Sequence, residues 1–506
     1  MHGKRIIGVA VMTAVVTILA GCGGEKKAAE GIRSVRIAEQ VPNLITPGVW
    51  DGQAFSMNGS IYDYLVEIDS ETGTLEPALA LSWESDDGRI WTITLRENVK
   101  FHDGTAFDSA DVKYTIERTQ DESIGHLKAQ DFSVVESVET PDAHTVVITL
   151  SESRPTFMYQ MTDYNMAMLS SEYDYAALGE SRPMGTGAFM LKTLTPKESA
   201  HLVKNPDFWV EGYPLVDELL IYFVPDIDSS VTMLEAGKVD IVPQVTPLIK
   251  QRLESVSGTR VVSPYQEQRF ISMATDRPPF DNPDVILAMK YAMDAETLAK
   301  ACQGTLGESV FYNETPIMNS LAQYTELPLR ERNVEKAKEL LTGAGYPDGV
   351  SVELYYAADH PYSPALAQTV KELAAPAGID VQLKGFPRDI YLSQYWLNVP
   401  MSITGWGGRV DPSVLLLLSF HSEGPWNESH MKDPEVDGII ERITREVDDD
   451  ARMALYGELQ ELFRERGALL NVQVPYLVAL SDSVQDFRQP VTMIPQLKHL
   501  KLRSVK

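Results

Sequence analysis

The chain has 506 residues, too many for a single hydrophobic core, and this length sets an expectation of about three domains. With 72 acidic against 44 basic residues its formal charge is -28, which repels phosphate backbones and anionic headgroups and speaks against nucleic acid as a partner. Nine scattered histidines form no His-x-x-x-His pair, the only cysteines are Cys22 and Cys302, and no Gly-x-Ser-x-Gly occurs. Zinc enzymes and serine hydrolases of that architecture are therefore disfavoured, and no cofactor, metal or internal disulfide is expected.

Residues 1–21 read as a targeting segment. Lys4 and Arg5 precede a mostly apolar run over 6–19, too short to span a bilayer comfortably as a mature anchor, and small residues follow. Leu19-Ala20-Gly21-Cys22 resembles the lipobox of bacterial lipoproteins, which implies lipidation at Cys22. Residues 22–32, small and polar, have the composition of a flexible tether.

Further along, residues 34–38 read as a short strand, 41–51 as a loop and 55–65 as a helix. The clearest pattern lies between Pro77 and Arg118. Trp91, Ile93 and Leu95 alternate with Thr92, Thr94 and Arg96, the period of a half-buried strand, and Asp86-Asp87-Gly88 supplies the turn of a hairpin before it. Asp108 stands three residues before Asp111, so both carboxylates reach free amides at the start of a helix over 109–119, with Val112 and Ile116 on one face. His102 and Asp103, beside Gly104, look reactive but need only close a turn. Residues 145–150 alternate as another strand. In PMGTGAFML, residues 183–191, the glycines would permit backbone dihedrals that other residues resist. No Gly-Lys-Ser/Thr follows, so this is not a phosphate loop.

These segments, taken in order, resemble the family 5 extracellular solute-binding proteins, which serve ABC importers of peptides, opines and nickel. The likeness runs through Trp83, Asp86 to Gly88, Thr92 to Phe107 and Ala110 to Arg118, and continues in Gly185-Thr186-Gly187, Asn205-Pro206-Asp207-Phe208-Trp209 and Phe280-Asp281-Asn282-Pro283. It implies an α/β, two-lobed fold of the periplasmic-binding-protein kind, hinged, with an extra subdomain on the larger lobe. The expected division is lobe I over 33–268, with the subdomain at about 57–182, lobe II over 269–474, and a return to lobe I over 475–506. It implies binding without catalysis. In such proteins the loop over 41–51 borders the cleft, which makes Trp50 a candidate wall.

Within 269–474 strands and helices alternate. Asn333 caps a helix that Gly343 and Gly345 stop; a strand over 350–356, a helix over 364–374, a strand over 379–383, a helix over 389–397 and a strand over 400–404 follow. Such alternation predicts a largely parallel sheet. An amphipathic helix with Leu455, Leu459, Leu462 and Phe463 on one face then leads to the second crossing, near residues 471–480. Cys302, following a helical stretch, is expected to be packed.

Ligands of open α/β sheets bind beyond the carboxyl ends of the strands, which selects the loops over 358–363 and 405–411. The second, GWGGRVD, resembles the family's ligand loop, in which peptide-binding relatives place an acid three residues after the Trp. Here Arg409 stands there, and a guanidinium grips carboxylate or phosphate rather than ammonium. Trp406 offers a flat face, Asp411 either a ligand contact or a helix cap, and Tyr362 and Tyr265 weaker contacts. The reading is a monomeric, lipid-anchored solute-binding protein of the periplasm or the extracytoplasmic face of the bacterial cell membrane. It would pass a short peptide or opine-like carboxylate to the transmembrane subunits of an ABC permease. The alternatives are a ligand-sensing adaptor for a membrane receptor and a peptide hydrolase.

Overall fold

The hairpin expected at Asp86 to Gly88 forms between strands Ala80–Glu84 and Ile90–Leu95, with Trp83 opposite Ile93. Strands Thr145–Leu150 and Val135–Asp142 complete a four-stranded sheet. Helix Ser109–Gln120 covers it because the Asp108 and Asp111 carboxylates each take an amide at its start, a complete capping box. Val112 and Ile116 then pack with Ile93, Ile148 and Phe157 in one core. The computed structural model describes residues 32–50, 54–70, 73–407 and 411–503; Cys22 and Arg409 lie outside them.

Asp103 closes its turn by accepting the Thr105 amide at 3.0 Å, while His102 Nε2 lies 3.0 Å from the Gly187 carbonyl oxygen. Burial pushes the His102 imidazole down to about 4, so it is a neutral structural group. Gly185 and Gly187 are required for a different reason from the one expected. Neither has a positive φ. A Cβ at Gly185 would lie 2.4 Å from the Ile61 carbonyl oxygen, and one at Gly187 2.4 Å from that of Ser60. The segment rides directly on the backbone of helix Phe55–Ile61, which ends four residues earlier than expected as Tyr62 turns extended.

A seven-stranded sheet has at its centre the parallel pair Ser34–Glu39 and Glu218–Phe223, and includes Val478–Ser481 from the far end of the chain. A six-stranded sheet runs in the order Phe311–Asn313, Leu469–Pro475, Gln266–Met273, Met401–Trp406, Val350–Ala357, Ile379–Phe386. The chain enters it after Val262 and leaves it after Pro475, so two passages connect the sheets.

The expectation of a largely parallel sheet does not hold. Only the strands joined by helical crossovers, Val350–Ala357 with its two neighbours, are parallel. Gln266–Met273 and Leu469–Pro475 arrive from and depart to the other sheet, need no crossover, and pair antiparallel. The helix expected over 389–397 is instead a single α-turn, Arg388–Ile390, and a wide π-turn, Tyr391–Tyr395, closed by the Trp396 amide on the Tyr391 carbonyl at 2.9 Å. That turn buries Tyr391, whose hydroxyl lies 2.7 Å from Thr404 Oγ1. Cys302 is packed in the core of this half, and burial pushes its thiol up to about 12.

Candidate functional site

The two passages run side by side. The Tyr476 amide donates to the Tyr265 carbonyl at 2.9 Å, and the two rings stack at 4.6 Å and 13°. Because Gln266–Met273 is antiparallel to Met401–Trp406, its first residues lie where that strand ends: Gln268 opposite Trp406 and Arg269 opposite Gly405. The carboxyl end of Val350–Ala357 shares this edge. Strand direction thus gathers both loops marked by the sequence against the crossing strands.

Arg269 occupies the middle of this edge and is only 3 % exposed. Its Nη2 is 2.5 Å from Glu267 Oε2 and 2.8 Å from His360 Nε2, and its Nη1 donates to the Gln268 carbonyl at 3.0 Å. Burial, then the positive charges of Arg269 and Arg388, hold His360 well below its usual range, so its imidazole is neutral and Nε2 accepts. Arg269 Nε has no partner among the described residues. Gly405 is what makes room: a Cβ there would stand 1.8 Å from Arg269 Nη1.

Trp406 is held edge-on by a buried acid. Its indole N–H donates to Glu428 Oε1 at 3.3 Å, Trp396 donates to the same oxygen at 2.9 Å, and the Ser272 hydroxyl donates to Oε2 at 3.0 Å. Trp426 packs 5.4 Å from Trp406. Despite these donors, burial pushes the Glu428 carboxyl up to about 7.

On the opposite wall, at the end of Ser34–Glu39, Glu39 Oε1 accepts the Ser56 amide at 2.8 Å, and burial pushes this carboxyl up to about 7 as well. Trp50 is fully buried, its ring 5.0 Å from both Phe55 and Tyr164, which leaves it no exposed face in this conformation. Tyr362 is buried in the second core and its hydroxyl donates to the Pro475 carbonyl at 2.7 Å, tying the 358–363 loop to the passage. Asp411 is committed to the start of helix Ser413–Ser419, accepting the Ser413 amide at 2.9 Å and the Ser413 hydroxyl. Arg409 lies outside the described residues, as does Cys22. Glu39, Glu267, Arg269, His360 and Glu428 are the residues that reading the sequence missed.

Away from the passages, the four-stranded sheet's outer segment touches the second half. Thr156 Oγ1 lies 3.1 Å from Ser413 Oγ, and Arg445 Nη2 3.6 Å from Glu152. A cavity of about 380 Å³ adjoins the passages, lined by Tyr265, Gln266, Cys302 and Pro475, but neither Glu39 nor Arg269 lines it. Among the described residues no cluster of three or more His, Cys, Asp or Glu side chains could hold a metal ion.

The model of the bacterial extracellular solute-binding proteins, family 5, matches residues 74–428. The chain belongs to this family. The family 5 protein is 26 % identical over 492 residues to heme-binding protein A of Haemophilus influenzae, covering 88 % of each chain. Its fold matches DppA of Helicobacter pylori, solved with the peptide STSA, at a TM-score of 0.77 and 24 % identity over 93 % of this chain and 98 % of that one. It also matches AgaA of A. tumefaciens R10, solved with agropinic acid, at 0.77 and 23 % identity over 94 % and 99 %. The fold is therefore the mixed α/β, two-lobed one of periplasmic binding proteins, and the protein is an extracytoplasmic solute-binding protein rather than an enzyme.

Proposed function

We propose that this protein is a lipid-anchored receptor of an ABC importer that closes around a short peptide or opine-like solute bearing a carboxylate and delivers it to the membrane permease. The lobes would be 33–268 with 475–506, and 269–474, hinged at the two passages. What carries the reading is Arg269, a buried guanidinium at the meeting of both sheets with an N–H still to be satisfied. Such a donor favours an anion, the more so once closure removes water. Arg409, three residues after Trp406 in the sequence, would add a second cation. The peptide, agropinic acid and heme named for the related proteins all carry carboxylates. Cys22 and the polar residues after it support a lipid anchor and tether.

The test is native mass spectrometry for a co-purified solute, followed by calorimetry of that solute and of glutathione and methionyl-leucine. Arg409→Ala should weaken binding of a carboxylate-bearing solute by about 2 to 5 kcal/mol, the cost of removing one buried charged contact. Unchanged affinity refutes the carboxylate contact at Arg409.

A further inference from the structure

Glu39 poses a problem that packing does not solve. It is 5 % exposed, yet Oε2 has no hydrogen-bond partner among the described residues, and no other carboxylate oxygen there is in that position. The remaining acids near the cleft are engaged: Glu267 with Arg269, Asp411 with Ser413, Glu428 with two indoles and Ser272. Holding the Ser56 amide takes one oxygen and no charge, so a neutral side chain would serve. A second oxygen and a buried negative charge are costly unless something positive meets them. Around Glu39 stand the Ser56 backbone and hydroxyl and the Tyr476 ring, and among the described residues no lysine, arginine or histidine contributes to its ionisation. Tyr476 also feels Glu267 from the other sheet, so Glu39 faces the junction of the lobes rather than the interior of one.

We propose that Glu39 is the acceptor for a cationic nitrogen of the captured solute, an ammonium or guanidinium group, bound through Oε2. This deepens the proposed function: the solute carries a positive nitrogen at the first-lobe wall as well as a carboxylate at the Arg269 side.

Binding a cation must ionise Glu39, so a carboxyl at about 7 releases about half a proton at pH 7 and almost none at pH 9, where a ligand whose α-amino group titrates near 8 instead takes up about one proton and putrescine exchanges little. Calorimetry in two buffers of different ionisation enthalpy reads this directly. The probes are methionyl-leucine, glutathione, glycinamide and putrescine, each beside its N-acetylated form, with wild type and Glu39→Gln. Glutamine keeps the oxygen that holds Ser56, and a melt at pH 5 checks that the variant folds. Expected are at least tenfold weaker binding of the acetylated forms and of amines to Glu39→Gln, with proton release lost in the variant. Equal binding of an amine and its acetamide, or proton release that survives Glu39→Gln, overturns the assignment while the carboxylate reading stands. Binding of glycinamide or putrescine alone, abolished in Glu39→Gln, sustains the assignment and removes the peptide or opine reading. No response to any amine-bearing probe overturns the assignment.

Discussion

Replacing Glu428 with Gln should make the protein more stable above neutrality and only slightly so in mild acid. The carboxyl sits at about 7 in the fold against an ordinary 4.5, chiefly because it is buried, with Trp396, Ser272, Trp406 and Thr404 only partly offsetting that cost. A group raised on folding contributes stability that is complete below its unfolded value and is lost as pH climbs through its folded value. The gap of about 2.5 units corresponds to about 3 kcal/mol of stability, almost wholly present below pH 4.5 and fully lost by about pH 8. Glutamine reproduces the neutral form: its oxygen accepts both indoles and its amide faces Ser272. Urea unfolding at pH 5, 6, 7 and 8 should therefore show a Glu428→Gln advantage that grows from about 1 kcal/mol to about 3 kcal/mol. Glu39 titrates alike in both proteins and cancels in the difference. Three indoles surround the site, so native tryptophan emission should also shift near pH 7 in wild type and not in the variant. An advantage that is flat with pH, or a variant less stable at pH 8, refutes the account of Glu428 as a buried and reluctant acid.

Two stability predictions follow from crowding and from buried charge. Gly187→Ala should cost about 3 kcal/mol or prevent folding, because its Cβ meets rigid backbone, whereas Gly104→Ala, with φ +91 and nothing within 4 Å, should cost about 1 to 2 kcal/mol of backbone strain; urea midpoints that agree would refute the steric reading. Glu314→Gln should cost about 3 to 5 kcal/mol at pH 7, since buried Lys290 and partly buried Arg330 both depend on that carboxylate. Burial holds Lys290 down to about 8 even with Glu314 raising it, and loss of that carboxylate lowers it further, so the deficit should shrink as pH rises towards 8 and stay level above about 9.

The parts of the fold legible in the sequence are those whose cause is local. Strand Thr145–Leu150 alternates in burial along its length, and Asp108 with Asp111 announces its helix because the capping box is closed within four residues. Strand direction has no such signal. Leu469–Pro475, LLNVQVP, alternates apolar with polar residues yet is buried at nearly every position; that it lies antiparallel to Gln266–Met273 is decided by where the chain enters and leaves the sheet, two hundred residues apart. Gly187 shows the same limit from the other side. A glycine's necessity is visible in sequence, but whether it serves a dihedral or a close approach depends on the Ser60 and Ile61 backbone brought against it.

The site divides along the same line. Both loops that end parallel strands were legible, since strand polarity fixes where they lie, yet within them Asp411 and Tyr362 spend their polar atoms on Ser413 and Pro475. The polar atoms that remain without a partner among the described residues, Glu39 Oε2 and Arg269 Nε, sit on strands, in a chain with 116 charged residues among which an acid or arginine on a strand looks solvated. What sets them apart is desolvation, and desolvation here is produced by three segments from positions 39, 269 and 476 meeting at one edge. A protein that binds without reacting needs no nucleophile or metal set to leave in its sequence. It needs buried groups whose hydrogen bonds the fold does not complete, and these become visible only once the fold has removed their water.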